Sequence, residues 1–420
     1  MKKVGKTILW AAVFLCCFLL LGNADLNLTM ENESTVTESS LPFLEKGAGK
    51  TETVTLLSDK EKEKTDYKTE RILDDELKAE LLRKQQDLYY FSNLEITEQN
   101  LYVEILFALE NYADEMKVST TDTAVIDKIF QCVLMDHPEI FYTDGYSFVK
   151  YTLGENVQKI TFKGTYIYSQ EEKQKKEAQI ENIAFKMLSG IGADATDYEK
   201  VKYVYETIIN QTEYDMESED NQNICSVFLN QKSVCQGYAK AVQYLLDKLN
   251  IPAALVIGTV ETGEGHAWNL VKVNNQYYYL DATWGDASYT VGRKDEEIKL
   301  QYVPAINYDY FCITTEEILK THSLGELMPL PMCSSMEANY YVREGAYFTE
   351  VDFEQMEQLF TEYKDKNRET VTLKCANDAV YRQMEEELLT KQKIFKYLEG
   401  EDNSIIYNDS SRQRSITFWL

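Results

Sequence analysis

SVCQGYAK (Ser233–Lys240), GEGHAWNL (Gly263–Leu270) and YYYLDATW (Tyr277–Trp284) decide how this chain folds and what chemistry it carries. After Cys235 the apolar residues fall at Tyr238, Ala241, Val242, Leu245, Leu246 and Leu249, a helical spacing stopped by Asn250, Ile251 and Pro252. Cys235 thus sits in or just before the first turn of an amphipathic helix, where unpaired backbone N–H groups and the positive end of the dipole favour thiolate over thiol. Taken alone, such a cysteine reads equally as a core residue. Residues 266–273 and 276–281 read as two strands joined by Asn274-Asn275, a favoured two-residue hairpin turn. Counting back along that ladder, Val273 faces Gln276 and Trp268 faces Asp281. His266 and Asp281 become diagonal neighbours on one face, about 7–8 Å apart at Cα, which two side chains can close. A slip of one residue would put them on opposite faces. A carboxylate in a tyrosine-rich, apolar strand is costly unless partnered. Thiol, imidazole and carboxylate together are the equipment of covalent acyl transfer.

Outside this stretch the chain is chemically quiet. It shows no P-loop, dinucleotide fingerprint, calcium loop, internal repeat or zinc-ligand spacing, so no metal or cofactor is expected. His137 and His322, the other two histidines, read as structural.

The runs Val234-Cys-Gln-Gly-Tyr-Ala, Gly265-His-Ala-Trp-Asn and Leu280-Asp-Ala-Thr-Trp resemble the signatures of the transglutaminase-like superfamily, in particular its bacterial members and the related cytokinesis and kyphoscoliosis-peptidase group. The resemblance is strongest over about 200–290. It extends weakly to Asp136-His-Pro-Glu-Ile-Phe-Tyr, Tyr308-Asp-Tyr-Phe and Asn339-Tyr-Tyr. It implies Cys235 as nucleophile, His266 as general base and Asp281 as the group holding the imidazole. The fold it implies is α+β and papain-like: a Cys helix packed on an antiparallel sheet that carries His and Asp, with small α/β modules at its flanks. Related sequences often carry glycine where this chain has Gln231, so a different turn is expected there.

These roles lead to attack on a carboxamide or peptide carbonyl, a thioester, and its release to water or to an amine. The Cys235 N–H is the natural first oxyanion donor, with Tyr214 and Gln231 as weaker candidates for the second. Tyr214 reads better as an ordinary packing residue in a chain with 30 tyrosines. Trp268 and Trp284 flank the site as groove walls or as core. Hydrolysis and cross-linking share this first half-reaction. A surface binding or assembly protein that keeps the fold without turnover is the reading from another class.

Net charge of −27 argues against a nucleic-acid partner and against an anionic membrane surface. The expected partner is a protein or peptide substrate, cell-wall peptide included. Lys2, Lys3 and Lys6 precede an apolar run, Ile8 to Leu21, and then Gly22-Asn-Ala24. That is the plan of a secretory signal or an N-terminal anchor over 1–24, and any membrane contact is expected only through that segment if uncleaved. Of the six later cysteines, five remain once Cys235 is set aside as free, too odd a number for a complete disulfide framework.

Along the chain, 25–75 has the composition of a disordered acidic and polar linker. Residues 76–172 read as an α+β module, with helical periodicity in 76–90, 97–116 and 121–136 and strands at 145–152 and 157–168. Residues 173–325 form the expected catalytic unit, entered by helices at 173–188 and 197–209 and bordered by a polar loop, 285–299. A last α/β unit spans 326–420, with strands at 339–349, 370–375, 393–397 and 413–419 and helices at 352–364 and 378–391.

Overall fold

A computed structural model describes residues 49–56, 73–286, 305–398 and 405–420. Its architecture is mixed helix and sheet, built around three four-stranded sheets. The segment 1–24, residues 25–48 and 57–72 of the expected linker, and residues 287–299 of the expected 285–299 loop lie outside the described residues.

The first sheet has the order β1 (Gly49–Leu56), β3 (Thr143–Leu153), β4 (Asn156–Tyr166), β2 (Met116–Val118). Tyr146, Phe148, Ile160 and Phe162 bury one face of the β3–β4 hairpin. They share a core with residues of α1 (Asp75–Lys84), α2 (Tyr89–Ser92), α3 (Ile96–Glu110) and α4 (Thr123–Asp136), among them Leu81, Phe91, Leu106, Leu109, Ile126 and Phe130. β1 lies inside the stretch expected to be disordered, and it pairs in parallel with β3. Its Thr53-Val54-Thr55 run is β-branched and fits a pleated edge, a local signal masked by the Glu, Ser and Lys around it.

Two helices with full capping boxes lead to the site: α5 (Gln170–Leu188), with Ser169 and Glu172, and α6 (Asp197–Gln211), with Thr196 and Glu199. Next comes α7 (Cys235–Lys248), which packs on the second sheet, ordered β10 (His322–Leu324), β7 (Ala253–Val260), β8 (Gly265–Val273), β9 (Gln276–Leu280). All its pairings are antiparallel. The Asn269 amide donates to the Ala239 carbonyl at 2.9 Å, and the Gln243 amide donates to the Met135 and Asp136 carbonyls at 3.0 and 3.1 Å. These bonds fix the helix against the sheet on one side and against α4 on the other. Cys-helix packing and hairpin agree with the α+β, papain-like arrangement expected.

The third sheet has the order β11 (Tyr347–Phe348), β12 (Thr370–Cys375), β14 (Ser415–Trp419), β13 (Tyr407–Ser410). Helices Phe353–Asp365 and Asp378–Glu385 belong to the same region. Of the expected strands, one is cut to two residues and another is replaced by a helical turn. In 339–349 the Asn339 side chain caps a short helix, Tyr340–Arg343, and Gly345 at φ 69° then turns the chain, so only Tyr347 and Phe348 pair. In 393–397 a 3-10 turn, Lys393–Lys396, follows Gln392 in the left-handed region at φ 57°. Five residues, Lys393-Ile-Phe-Lys-Tyr397, are too few to distinguish a strand from a tight helical turn.

Candidate active site

The helix that bears the thiol starts at Cys235. Its N-cap, Val234, supplies no side-chain bond, so the first-turn N–H groups keep their donor capacity. Gly237 is required by close approach. A Cβ there would lie 1.9 Å from Ser233 Oγ and 2.9 Å from both Asn221 O and Ser226 Oγ. Those serines bond to each other at 2.6 Å and hold the loop under the helix start. The Tyr238 hydroxyl, one turn on, bonds Thr212 O at 2.9 Å and Asp286 Oδ2 at 2.6 Å.

The imidazole and carboxylate come from the hairpin. Its turn residues Asn274 and Asn275 both have positive φ, 48° and 65°, as a type I′ turn demands. Val273 faces Gln276 and Asn269 faces Leu280, the register read from sequence. His266 Nε2 lies 2.8 Å from Asp281 Oδ2, and the Cys235 sulfur sits beside the His266 ring, close enough to raise its pKa. With Nε2 committed to Asp281, Nδ1 is the nitrogen left to face the thiol. Cys235, His266 and Asp281 retain only 2%, 3% and 1% of their surface.

Burial opposes a charge on His266, but the Asp281 carboxylate and the Cys235 sulfur beside it outweigh that cost and raise the imidazole to about 10. Burial also opposes the Asp281 charge, yet His266 and then His322 hold the carboxyl well below the usual range. Asp281 Oδ1 accepts from the backbone N–H of Thr283 and Trp284 at 2.9 and 3.1 Å. A buried carboxylate with that many donors stays ionised.

His322 is the residue the sequence reading missed. Its Nε2 lies 3.1 Å from Asp281 Oδ2, the same oxygen that meets His266. β7 explains the meeting: Gly258 faces His266 on one side and Val260 faces His322 on the other, so both imidazoles project from one face. No local spacing announces this, because His322 follows Asp281 by 41 positions. Its one sequence signal is rarity, as one of three histidines. His266, Asp281 and His322 also form a possible metal-ligand set, their donor atoms within 4.8 Å of one another. Their mutual hydrogen bonds account for that proximity without an ion.

The other expected site residues divide. Trp268 is fully buried, its ring 5.9 Å from His266 and 4.9 Å from His322. It is a core wall for the imidazoles and has no surface to offer a groove, because its strand is covered on that face. Trp284 is half-buried and covers the same pair, at 6.1 Å from His266 and 4.9 Å from His322. Tyr214 pairs with Ser233 in a two-residue parallel bridge, two positions before the thiol. Gln231 is exposed and lines a separate cavity of about 870 Å³ with Thr212, Tyr308, Tyr340 and Trp419. Its φ of 57° is the left-handed conformation glycine favours, so glutamine makes a glycine-type turn at some steric cost. Cys132, Cys225, Cys312, Cys333 and Cys375 are buried free thiols, each pushed up by burial.

Residues 183–282 match the model of the transglutaminase-like superfamily. No curated protein sequence matches the chain. Among solved structures it is similar to a TGase, at 15% identity over 56% of this chain and 63% of that one, with a TM-score of 0.26. It is also similar to a candidate cysteine protease from Cytophaga hutchinsonii, at 15% identity over 30% and 50% of the two chains, TM-score 0.22. A third is the periplasmic domain of TgpA from Pseudomonas aeruginosa bound to ethylmercury, at 13% identity over 30% and 57%, TM-score 0.21. The chain spans less than two thirds of each of these proteins.

Proposed function

We propose that this protein, whose residues 183–282 match the model of the transglutaminase-like superfamily, is an exported thiol enzyme acting on amide or peptide bonds through Cys235, His266 and Asp281. The observation that carries the reading is the His266–Asp281 hydrogen bond at 2.8 Å with the Cys235 sulfur beside the same imidazole, near enough to raise its pKa. An imidazole raised to about 10 is protonated at neutral pH, so the resting site pairs an imidazolium with the sulfur. The Cys235 thiolate attacks the carbonyl carbon, and the developing oxyanion meets the Cys235 N–H at the helix start. His266 gives its proton to the departing ammonia or amine, leaving a thioester on Cys235. Acylation removes the sulfur's negative charge, one of the influences that raised His266, and so frees the ring to act as base. Water or an amine then loses a proton to His266 as it attacks the thioester.

The proposed substrate is a protein or peptide amide, cell-wall stem peptides among them, and the proposed catalytic unit is 173–325 with 76–172 and 326–420 flanking it. Export rests on the Lys2, Lys3 and Lys6 start and the Ile8–Leu21 run. Among the described residues no helix is long and apolar enough to cross a membrane. A catalytically silent binding protein is the second reading, favoured by the near-complete burial of Cys235 and His266. Alkylation with iodoacetamide at pH 6.5 separates the two, because an ordinary thiol, with a pKa of about 8.5, reacts slowly there. Fast labelling of Cys235 that His266→Ala abolishes supports the enzyme, and equal rates support the scaffold. Decay of a trapped thioester with and without a primary amine then tells transferase from hydrolase.

A further inference from the structure

The carboxylate of the site answers to two histidines, and only one of them faces the thiol. Asp281 Oδ2 lies 2.8 Å from His266 Nε2 and 3.1 Å from His322 Nε2. The His322 side chain has no exposed surface, so both its ring nitrogens must be satisfied from within the protein. Nδ1 lies 2.8 Å from Thr321 Oγ1. The Thr321 hydroxyl neighbours the Tyr310 hydroxyl and interacts with it, and the Tyr310 oxygen accepts from Gln413 Nε2 at 2.9 Å. Gln413 stands between β13 and β14, in the C-terminal sheet.

Resting on the acyl-transfer reading above, we infer that His322 is a positioning residue of that site, fixed on the Asp281 carboxylate by a hydrogen-bond chain that starts in the C-terminal sheet. The direction of the chain follows from donor counts. The Gln413 amide N–H donates to Tyr310, so the Tyr310 O–H points at Thr321, since each hydroxyl has one proton to give. The Thr321 O–H in turn points at His322 Nδ1. The His322 proton then resides on Nε2 and faces Asp281. Reversing one link would set lone pair against lone pair at the carboxylate, or require a second proton on the ring.

The consequence is a carboxylate held from four directions. Thr283 and Trp284 N–H groups fix Oδ1, and the two imidazoles fix Oδ2. With its plane locked, Asp281 keeps His266 turned toward the sulfur. The chain's distal end is anchored in turn. Lys374 Nζ donates to Asp309 Oδ1 at 2.8 Å and Ser415 Oγ donates to Asp309 Oδ2 at 3.0 Å, beside Tyr310. The C-terminal sheet thereby reaches the thiol site through Gln413, Tyr310, Thr321 and His322.

The test uses the full chain. Nitrogen-15 NMR of histidine-labelled protein has three ring systems to resolve, and His322 is expected as the Nε2–H tautomer, with Tyr310→Phe giving a mixture. Alkylation of Cys235 at pH 6.5 is expected to fall about ten- to a hundred-fold in His322→Ala, the worth of one hydrogen bond to a charged group. His322→Gln, which can place an amide N–H near the Nε2 position, is expected to recover most of that loss. An Nδ1–H tautomer, a His322→Ala thiol as fast as wild type while His266→Ala is slow, or a glutamine variant no better than alanine overturns the inference. A wild-type thiol no faster than that of His266→Ala instead removes the acyl-transfer reading, and the role of His322 with it. If His322→Ala does not fold, the tautomer and its response to Tyr310→Phe still decide.

Discussion

The two ends of helix α7 each meet a buried histidine bonded to a carboxylate, and they differ in every respect that bears on chemistry. At the N-terminal end Cys235 faces His266, which is bonded to Asp281 at 2.8 Å. At the C-terminal end Asp247 and Lys248 border a cavity of about 900 Å³, together with His137, whose Nδ1 lies 2.7 Å from Glu139 Oε1. The helix field favours negative charge at the first end and opposes it at the second. A thiolate at Cys235 is placed where the backbone welcomes it. The Asp247 carboxyl keeps an exposed edge, but the protein packed around it and the nearby Glu139 and Asp136 disfavour its charge and push it up to about 8. A histidine–carboxylate pair is therefore not a site in itself. The thiol and the end of the helix it occupies make the difference.

The largest effect that would break this comparison concerns the nucleophilic end. Cys235→Ser and His266→Ala are each expected to lower acyl-transfer turnover by at least about a thousand-fold, whereas His137→Ala should leave turnover per folded molecule nearly unchanged. Loss of turnover in His137→Ala with native circular dichroism would erase the distinction. Asp281→Asn follows, with a loss of about a hundred-fold or more in kcat at little change in KM, since it removes the group that orients the ring.

Stability should respond at the other end. Asp136 accepts from the Tyr90 and Phe91 N–H groups at 3.0 and 2.9 Å and from the Tyr102 hydroxyl at 3.0 Å. Asp136→Ala leaves these buried donors unmet and is expected to cost about 3 kcal/mol in urea unfolding. The smallest effect is a pH dependence. The folded-state pKa of Asp247 lies above its ordinary value, so the native state binds the extra proton, and stability should fall as pH rises from about 4 through about 8. Asp247→Asn should flatten that slope and melt higher than wild type at pH 9, by about 1 kcal/mol at most once solvent screening is allowed for. The raised pKa of His266 acts at higher pH. Its stabilisation is complete below 6.5 and fades as pH approaches 10, a slope that His266→Gln should remove. Melting curves across pH read both slopes separately.

Much of the site's geometry was legible because it is local. The spacing after Cys235 gives a helix, Asn274-Asn275 gives the turn, and a fixed turn gives the register that brings His266 to Asp281. The C-terminal region was less legible. The Asn339 cap and the left-handed Gln392 divert two short runs whose alternation suits a strand. Trp268 illustrates a different limit, since an aromatic beside a reactive residue reads equally as groove or core until the covering layer is known.

The sequence by itself determined the thiol's place at a helix start and the pairing of imidazole with carboxylate, because both depend on residues within one helix or one hairpin. The tertiary structure alone decided that His322 joins them, that Gln413 reaches them through Tyr310 and Thr321, and that the far end of α7 carries an opposed charge environment. Those outcomes depend on which strands become neighbours and on how helix and sheet are set against each other. Long-range pairing of that kind leaves no periodicity in the chain.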